Sequence, residues 1–371
     1  MTLHPITAVK AGKTMAQQNI QPVTAKRPTK PRKTNETGIA VTPLIDGPAI
    51  FQEAEKMIKS ADSAIQLEMF SLSHDHMIDL LCQESKKGIN VQVLIDPTPG
   101  FNEEEVQEKK ENLKKLKASG VEVVYYPINK DRKQIDHIKM LIIDGKSALI
   151  GGMNWSNHSP VNHDADIKIE GPAVNYYRAV FNNAWYKSCG GKSPELPPAE
   201  KIAGANAQLH GISTEMFRFT TIKQAVVNNI EKAQNSIFLE AFIITDKNIV
   251  KGLIDAKKRG VDVKVILDPT LLGTEFSCND RIFKELSEAG VDVKWYKVDQ
   301  SIGQKLHAKW GLFDKEQLLI GSANWTFKGL MINREIGADV KDKKTGSAFE
   351  KQFLHDWEYA TTDQVEPQIP S

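Results

Sequence analysis

The chain has 371 residues, of which 40% are hydrophobic and 26% are charged. This length exceeds one typical domain and predicts two, and the composition excludes a chain that is disordered overall. The three cysteines lie far apart without a CxxC spacing, so we expect neither a disulfide framework nor a thiolate zinc site. Because no secretory signal and no run of about 18 apolar residues occurs, we expect a soluble, cytoplasmic protein without a transmembrane segment, which meets any lipid at the periphery of a membrane.

The formal charge is unevenly distributed along the chain. Residues 1–35 hold seven lysines and arginines and no acid, which leaves 41 basic and 47 acidic residues, a net charge of −6, in the remainder. Because lysines and arginines that neutralise phosphates supply most non-specific nucleic-acid binding, an acidic body argues against broad affinity for nucleic acids. Residues 1–40 predict a disordered basic leader, with docking of this leader to nucleic acid or to a membrane surface as the alternative.

Helix and strand patterns alternate along the chain after the leader. Apolar residues at helical spacing predict a helix over residues 48–61, and the runs IQLEMFSLS (65–73) and VQVLID (91–96) predict short strands. A further helix is expected over residues 102–117, because Gly120 follows it as a stop signal. Such alternation is typical of an α/β layer fold.

The same succession of patterns recurs later in the chain. Glu68 and Glu240, for example, occupy equivalent positions 172 residues apart. A long-period repeat with nearly constant spacing indicates two similar domains in one chain. We predict these domains over residues 41–187 and 208–361, joined by a Gly- and Pro-rich linker over residues 188–207 and followed by a tail over residues 362–371.

One motif follows the third predicted strand of each half. The sequence HIKMLIIDGKSALIGGMNW, from residue 137, and the sequence HAKWGLFDKEQLLIGSANW, from residue 307, align without a gap. Two such copies are not expected by chance and indicate a common site. Both follow the pattern His-x-Lys-x4-Asp-x6-Gly-x-x-Asn, whose fixed positions are His137, Lys139, Asp144, Gly151 and Asn154 in the first copy and His307, Lys309, Asp314, Gly321 and Asn324 in the second.

The spacing within the motif predicts which side chains meet. His137 and Lys139 are two residues apart in a β-rich run and therefore project from one face of a strand. Asp144 stands at an odd offset, so it points the other way or lies in the turn after the strand, and we assign a structural role to it and to Asp314. The Asp-Gly pair at this turn is a hairpin signal, and the returning strand would bring Asn154 back beside the histidine and the lysine.

A second pair of acids follows each motif. Asp164 ends the triplet NHD and Glu335 ends the triplet NRE, soon after the motif asparagines. A buried imidazole needs a partner that fixes its tautomer and its proton, and we predict that these two acids orient the histidines. Glu68 and Glu240 are candidate accessory residues, which either form hydrogen bonds with the motif lysines or are only edge carboxylates.

The two motif copies together hold a complete set of groups for breaking a phosphodiester. That reaction needs a nucleophile, a proton donor for the leaving oxygen, and cationic or amide donors for the non-bridging oxygens. Two histidines, two lysines and two asparagines supply this set. Because one histidine cannot be the attacking group and the protonated acid in the same step, the two copies must face each other.

The duplicated motif resembles that of the phospholipase D superfamily, in which His-x-Lys-x4-Asp is followed by Gly-Ser/Gly-x-Asn, and the resemblance covers about residues 42–359. It implies a mixed β-sheet flanked by helices in each half, a pseudo-twofold arrangement with the active site between the domains, a phosphohistidine intermediate, and neither a metal nor a cofactor. It also implies that His137 is the nucleophile and His307 the general acid. The first copy has Gly152 where the superfamily usually has serine, whereas Ser322 keeps the hydroxyl and is a candidate accessory residue.

The substrate is less determined than the reaction. Two motifs in one chain resemble the phospholipid-acting branch of the superfamily, and the acidic body favours it too. Our first hypothesis is therefore a phospholipase D-like hydrolase that releases the head-group alcohol of a glycerophospholipid, with transfer to alcohols as a side activity. A metal-independent nuclease is the alternative, and a binding module without activity is a third interpretation.

Two other sequence features receive a structural interpretation. His74 and His76 flank an aspartate, but this triplet has no counterpart in the second half, so we do not predict a metal site there. Trp155 and Trp325 follow the motif asparagines, and we expect them to pack in the interior instead of stacking on a substrate.

Overall fold

The computed structural model describes residues 38–100, 102–191, 201–203, 208–214, 221–272 and 279–363. All but the last three residues of the predicted basic leader fall outside these ranges, as do residues 364–371 of the predicted tail and most of the predicted linker. Residues 38–191 are called the N-terminal half below, and residues 201–363 the C-terminal half.

The described part of the N-terminal half contains one mixed sheet of seven strands. The strands are β1 (Ala40–Ile45), β2 (Ala64–Met69), β3 (Asn90–Ile95), β4 (Glu122–Tyr125), β5 (Lys139–Ile143), β6 (Ser147–Gly151) and β7 (Ala165–Glu170). The helices are α1 (Gly47–Lys59), α2 (Asp75–Lys86), α3 (Glu103–Ala118) and α4 (Val174–Ser188). The strand order is β1-β7-β6-β5-β2-β3-β4, in which β2, β3 and β4 are parallel and the other neighbours antiparallel.

The described part of the C-terminal half repeats this arrangement with eight strands. The strands are β8 (Lys201–Ala203), β9 (Gln208–Ser213), β10 (Ser236–Ala241), β11 (Asp262–Leu267), β12 (Asp292–Trp295), β13 (Lys309–Phe313), β14 (Gln317–Gly321) and β15 (Ile336–Lys341). The helices are α5 (Thr221–Lys232), α6 (Lys247–Lys258), α7 (Asn279–Glu288), α8 (Phe327–Met331) and α9 (Lys343–Tyr359). The strand order is β12-β11-β10-β13-β14-β15-β9-β8. The α/β class and the two mixed sheets agree with the prediction.

One boundary differs from the prediction. The predicted linker, residues 188–207, contains β8, which pairs antiparallel with β9 at the edge of the second sheet. Its Gly and Pro content hid a strand of only three residues, which backbone pairing stabilises and local sequence does not signal. The domain boundaries at 41–187 and 208–361 otherwise stay predictions.

Local sequence explains where helices begin and end. The side chain of Asn102 accepts a hydrogen bond from the backbone N–H of Glu105 at 2.9 Å and thereby caps the start of α3. After α3 the chain turns at Gly120, with φ +89°, and after α7 it turns at Gly290, with φ +81°. A side chain is disfavoured at such angles, which is why glycine ends both helices. Among the described helices, none combines the length and the apolarity that crossing a bilayer requires.

The hydrophobic core joins the two halves. One buried cluster lies wholly within the N-terminal half and includes Leu67, and another lies within the C-terminal half and includes Leu239. A third cluster contains residues from both, such as Tyr177 of α4 and Trp310 of β13, each at most 1% exposed. Because this shared cluster is removed from water only when both halves are in place, the sheets are held in one fixed relation.

Candidate active site

The two motif histidines line one cavity of about 570 Å³. His137 is 6% exposed and His307 is 8% exposed, so both imidazoles are nearly enclosed. Asn154 and Asn324 line the same cavity, and each half therefore contributes an equivalent histidine and asparagine. Most of the remaining described wall comes from the N-terminal half, at residues 70–73, 98–100 and 156–159.

The start of the hairpin in each motif places a buried lysine beside the histidine. Lys139 is the first residue of β5, and its Nζ donates to the carbonyl oxygen of His137 at 2.8 Å. Lys309, the first residue of β13, makes the same contact with His307. Each ammonium nitrogen also lies over a phenylalanine ring, 5.1 Å and 5.3 Å from the two ring centroids. Both cations are thus held against the backbone of the histidines that line the cavity.

Each histidine is paired with an acid from the opposite half of the chain. His137 Nδ1 lies 3.0 Å from Glu335 Oε2, and His307 Nδ1 lies 2.7 Å from Asp164 Oδ2. Both carboxylates are fully buried. An ionised carboxylate can only accept a hydrogen bond, so the contact places a proton on Nδ1 and leaves the lone pair on Nε2 of the same ring. The acids are the two named from the sequence, but their crossed pairing is new.

Burial sets the protonation of the cationic groups at the cavity. It lowers the pKa of His307 to about 3, assisted by Lys309 and opposed by Asp164. The pKa of His137 is also lowered by burial, against the effect of Glu335. Burial lowers the pKa of Lys139 to about 7 and that of Lys309 to about 8. Both imidazoles are therefore neutral at neutral pH, and an arriving phosphate anion would raise all four pKa values.

The motif aspartates occupy hairpin turns away from the cavity. Asp144 and Asp314 have φ values of 53° and 47°. The Asp144 carboxylate accepts hydrogen bonds from the backbone N–H groups of residues 62–64 at 2.8–2.9 Å, and Asp314 accepts them from residues 234–236. Each aspartate thus ties its hairpin to the start of the neighbouring strand, and its structural role stays a prediction.

The expectation for Glu68 and Glu240 was wrong in both of its forms. They lie on the interior strands β2 and β10 and are fully buried, so they are not edge carboxylates. Their recorded partners are not the motif lysines but Arg334, for Glu68, and His163, for Glu240. Ser322, the third candidate accessory residue, donates to Glu335 Oε2 at 2.5 Å and so holds the acid that faces His137.

The remaining sequence interpretations concern a histidine pair and two tryptophans. His74 caps α2 by accepting from the backbone N–H of Met77, and His76 contacts Glu55 on the surface. Trp155 and Trp325 are each 1% exposed and belong to the separate core clusters, so they pack in the interior as predicted.

The sequence predicted no role for Asp166 or Gly152. Asp166 is buried and accepts from the backbone N–H of Met153, and burial together with Asp164 raises its pKa to about 8. A Cβ added to Gly152 would lie 2.2 Å from Asp164 Oδ1. The glycine that replaces the usual serine in the first motif therefore makes room for the carboxylate that faces His307, a signal visible only in three dimensions.

A protein-family comparison matches both halves of the chain. The family described as "Cardiolipin synthase, PLD-like domain" matches residues 55–185 and again residues 226–357. The chain belongs to this family. The double match confirms the superfamily resemblance and agrees with the two mixed sheets, since each matched segment carries one motif and one sheet.

Curated relatives in the phospholipase D-like family include bacterial cardiolipin synthases. The cardiolipin synthase of Halalkalibacterium halodurans is 26% identical over 351 residues, which cover 87% of this chain and 66% of the relative. Cardiolipin synthase 2 of Bacillus anthracis is 26% identical over 347 residues, which cover 87% of this chain and 65% of the relative. The chain thus spans about two thirds of the length of these relatives.

A solved structure shares the fold at low sequence identity. The phosphatidylserine synthase of Haemophilus influenzae matches with a TM-score of 0.68 and 11% identity, over 85% of this chain and 86% of that chain. This likeness concerns the fold alone and supports the predicted pair of phospholipase D-like domains.

Proposed function

We propose that this protein transfers phosphatidyl groups between alcohols through a covalent intermediate on a histidine. The observation that carries the proposal is the pair of imidazoles at one cavity, each with Nδ1 against a buried acid of the opposite half. Two lysines and two asparagines accompany them. This is the donor set that a phosphodiester needs, and the family relatives named as cardiolipin and phosphatidylserine synthases favour a lipid substrate.

The proposed reaction consists of two successive displacements at phosphorus. His137 Nε2 attacks phosphorus, a P–N bond forms, and the P–O bond to the head-group alcohol breaks while that oxygen takes a proton from His307. The phosphate anion of the bound substrate raises the pKa of His307, so this ring is protonated in the substrate complex. In the second step an acceptor alcohol gives its proton to His307, and its oxygen displaces His137 from phosphorus. The lysine ammoniums and asparagine amides hold the non-bridging oxygens. Water as the acceptor gives hydrolysis in place of transfer.

We propose that transfer to an alcohol is the main activity and that hydrolysis is the side activity. The sequence alone favoured a hydrolase with transfer as a side activity, but the names of the relatives are those of synthases. We propose a glycerophospholipid as donor, an alcohol as acceptor, and contact with the lipid at a membrane surface. The acidic body of the chain and the synthase names of its relatives favour this substrate over the nucleic acid of the nuclease alternative.

One experiment tests the chemistry and the substrate together. The full chain is incubated, with and without chelator, with phosphatidylglycerol vesicles and deuterium-labelled glycerol, and separately with single- and double-stranded DNA and RNA. Mass spectrometry then identifies the product and any adduct on histidine. We expect a phosphatidyl adduct on His137 and a product with exchanged head group. A nucleotide adduct would establish the nuclease, and a reaction that stops in chelator would contradict the metal-free mechanism.

The roles of the two histidines are separated by an activated substrate. A p-nitrophenyl phosphodiester lipid releases its leaving group without a proton donor, so His307→Asn should still form the adduct on His137 and then fail to discharge it. His137→Asn should form no adduct. The opposite pattern, with adduct on His307 in the His137→Asn protein, would reverse the assignment of nucleophile and general acid.

A further inference from the structure

Two buried cations stand at equivalent positions immediately before the histidine-orienting acids. His163 precedes Asp164, and Arg334 precedes Glu335. Both side chains are 2% exposed or less and reach into the opposite half of the molecule. A histidine and an arginine differ in type, so the alignment of the two repeats did not indicate that these positions have a common role.

Arg334 extends from the C-terminal half into a set of acceptors in the N-terminal half. Its guanidinium forms an ion pair with Glu68, and its Nη1 donates to Asp136 Oδ1 at 3.1 Å. The guanidinium carbon lies 4.8 Å from the centroid of the Tyr126 ring. A charge that is buried in this way is tolerated only when acids and polar groups surround it, and here they do.

His163 extends from the N-terminal half into the C-terminal half and meets a corresponding set. Its Nε2 lies 3.0 Å from Glu240 Oε2 and 3.4 Å from Asp356 Oδ2. Its Nδ1 lies 2.5 Å from Asp46 Oδ1, so both ring nitrogens face carboxylates. The ring stacks on Tyr296 with centroids 4.8 Å apart and an angle of 13°. Only an imidazolium donates from both nitrogens at once.

The backbone of each cation is bonded to the segment that carries the opposite histidine. His307 N–H donates to the carbonyl of His163 at 2.7 Å, and His163 N–H donates to the carbonyl of Lys305 at 2.9 Å. The same pair of bonds, both 2.9 Å, links Arg334 to His137 and Ile135. Each cation therefore fixes, through its own main chain, both the histidine and the adjoining acid.

We propose that His163 and Arg334 are positioning residues, two charged clamps across the junction that set the acid–histidine pairs of the active site, with His163 acting as an imidazolium. The clamp at His163 consists of His163, Asp46, Glu240 and Asp356. This proposal rests on the proposed function for its turnover assay only, because the geometry of His307 can be measured without a substrate.

Electrostatics support a charged ring at His163, and the charge of this ring depends on pH. Burial alone would lower the pKa of His163, but Glu240, Asp356 and Asp46 hold it well above its ordinary value. The charge is thus present at neutral pH and is lost as the pH rises through the raised pKa. Burial also raises the pKa of Glu240 to about 7, so the clamp weakens again on the acid side. Tyr296, with a pKa raised to about 12, stays neutral throughout.

The test compares two substitutions at His163 in the full-length chain. His163→Gln removes the charge, and His163→Arg supplies the cation that stands at the equivalent position. His76→Gln is the matched control, because it removes an exposed histidine that contacts Glu55 and is not among the residues that line the cavity. In ¹⁵N-histidine-labelled protein, the Nδ1 proton of His307 gives a downfield signal that is assigned by its loss in His307→Asn. We expect His163→Gln to lose this signal, and His163→Arg and His76→Gln to keep it.

Turnover is the second measurement. We expect His163→Gln to lower kcat about 10- to 100-fold with KM changed less than about threefold, as is usual when the partner of a functional side chain is misplaced. In His163→Arg the pH at which the His307 signal is lost should move to higher values, because the arginine keeps its charge where the native imidazolium is deprotonated. If His163→Gln does not fold, the comparison of His163→Arg with the native chain decides the matter by this shift.

Two results would overturn the proposal. The first is a His307 signal whose presence and pH dependence are the same in all folded variants. The second is stoichiometric zinc in the purified protein, removed by chelator together with the His307 signal, because His163, Glu240 and Asp356 have donor atoms within 4.8 Å of one another and would then be ligands of a metal. An inactive but folded protein that behaves as expected by NMR would contradict the proposed function and leave the clamp supported.

Discussion

Asp164 faces the imidazole ring that we propose as the general acid. Its carboxylate lies 2.7 Å from His307 Nδ1, and it is the nearest recorded acid to that ring. We expect Asp164→Asn to lower kcat by about 10²- to 10⁴-fold, because an amide holds the tautomer poorly and does not stabilise the imidazolium. Steady-state kinetics on folded protein, with the surface substitution Asp79→Asn as control, measures the effect. A loss below about threefold would remove Asp164 from the mechanism.

Lys139 shows a conflict between activity and stability. Burial lowers its pKa from 10.5 to about 7, which corresponds to a cost on the order of 4 kcal/mol at neutral pH. The unfolded chain keeps this proton between pH 10.5 and 7, so the native protein loses stability as the pH falls through that window.

Lys139→Met should therefore raise the free energy of unfolding by about 2 kcal/mol at pH 7, since nearby acids lose their cation and offset part of the gain. The gain should shrink toward pH 10, and turnover should be abolished. Urea unfolding at the two pH values measures the difference. A destabilised variant at pH 7 would show that the ammonium contributes more through its acids than burial costs.

At the scale of elements, the hairpin of β5 and β6 depends on the Asp144 carboxylate. We expect Asp144→Ala to lower the free energy of unfolding by about 2 kcal/mol, because three backbone N–H groups at the start of β2 lose their acceptor. Asp144→Asn should lose less, since it keeps an acceptor oxygen and tolerates the positive φ of this position. Thermal unfolding measures the series.

The control for the hairpin prediction is Asp62→Ala. It removes an exposed carboxylate from the segment before β2 whose backbone N–H groups donate to Asp144. kcat of the folded Asp144→Ala protein should stay within about threefold of the native value, because the carboxylate is bonded to backbone N–H groups at the start of β2. A folded Asp144→Ala protein without turnover would place this aspartate in the mechanism.

These hairpins also mark how far the sequence could predict the site. The first turn was foreseen from its Asp-Gly pair, but the second uses Asp314 and Lys315, with φ values of 47° and 62°, and no glycine. Only the repeat made that turn predictable. The spacing of residues within a motif is visible in the local sequence, so the histidines, lysines and asparagines could be predicted as one site. What each acid faces is not local, and strand parity says nothing about it.

At the scale of the molecule, the crossed pairing explains what sequence reasoning missed. Asp164 and His307 are 143 positions apart, and they meet only because the two sheets dock. Glu68 and Glu240 were expected either to form hydrogen bonds with the motif lysines or to be edge carboxylates, yet docking brings a guanidinium and an imidazole from the other half to them. The candidate active site therefore forms only where the two halves meet, and its geometry depends on the shared core.

A shared core predicts that the two halves unfold together. Trp155 lies in the core cluster of the N-terminal half and Trp325 in that of the C-terminal half. With 5-fluorotryptophan in place of tryptophan, the ¹⁹F signals of these residues should disappear at the same urea concentration. Leu67→Ala, a truncation confined to the N-terminal cluster, should lower both midpoints equally, by an amount equivalent to about 2–5 kcal/mol. If the Trp325 midpoint stayed unchanged, the halves would be independent folding units, and the clamps would join preformed domains instead of completing a common core.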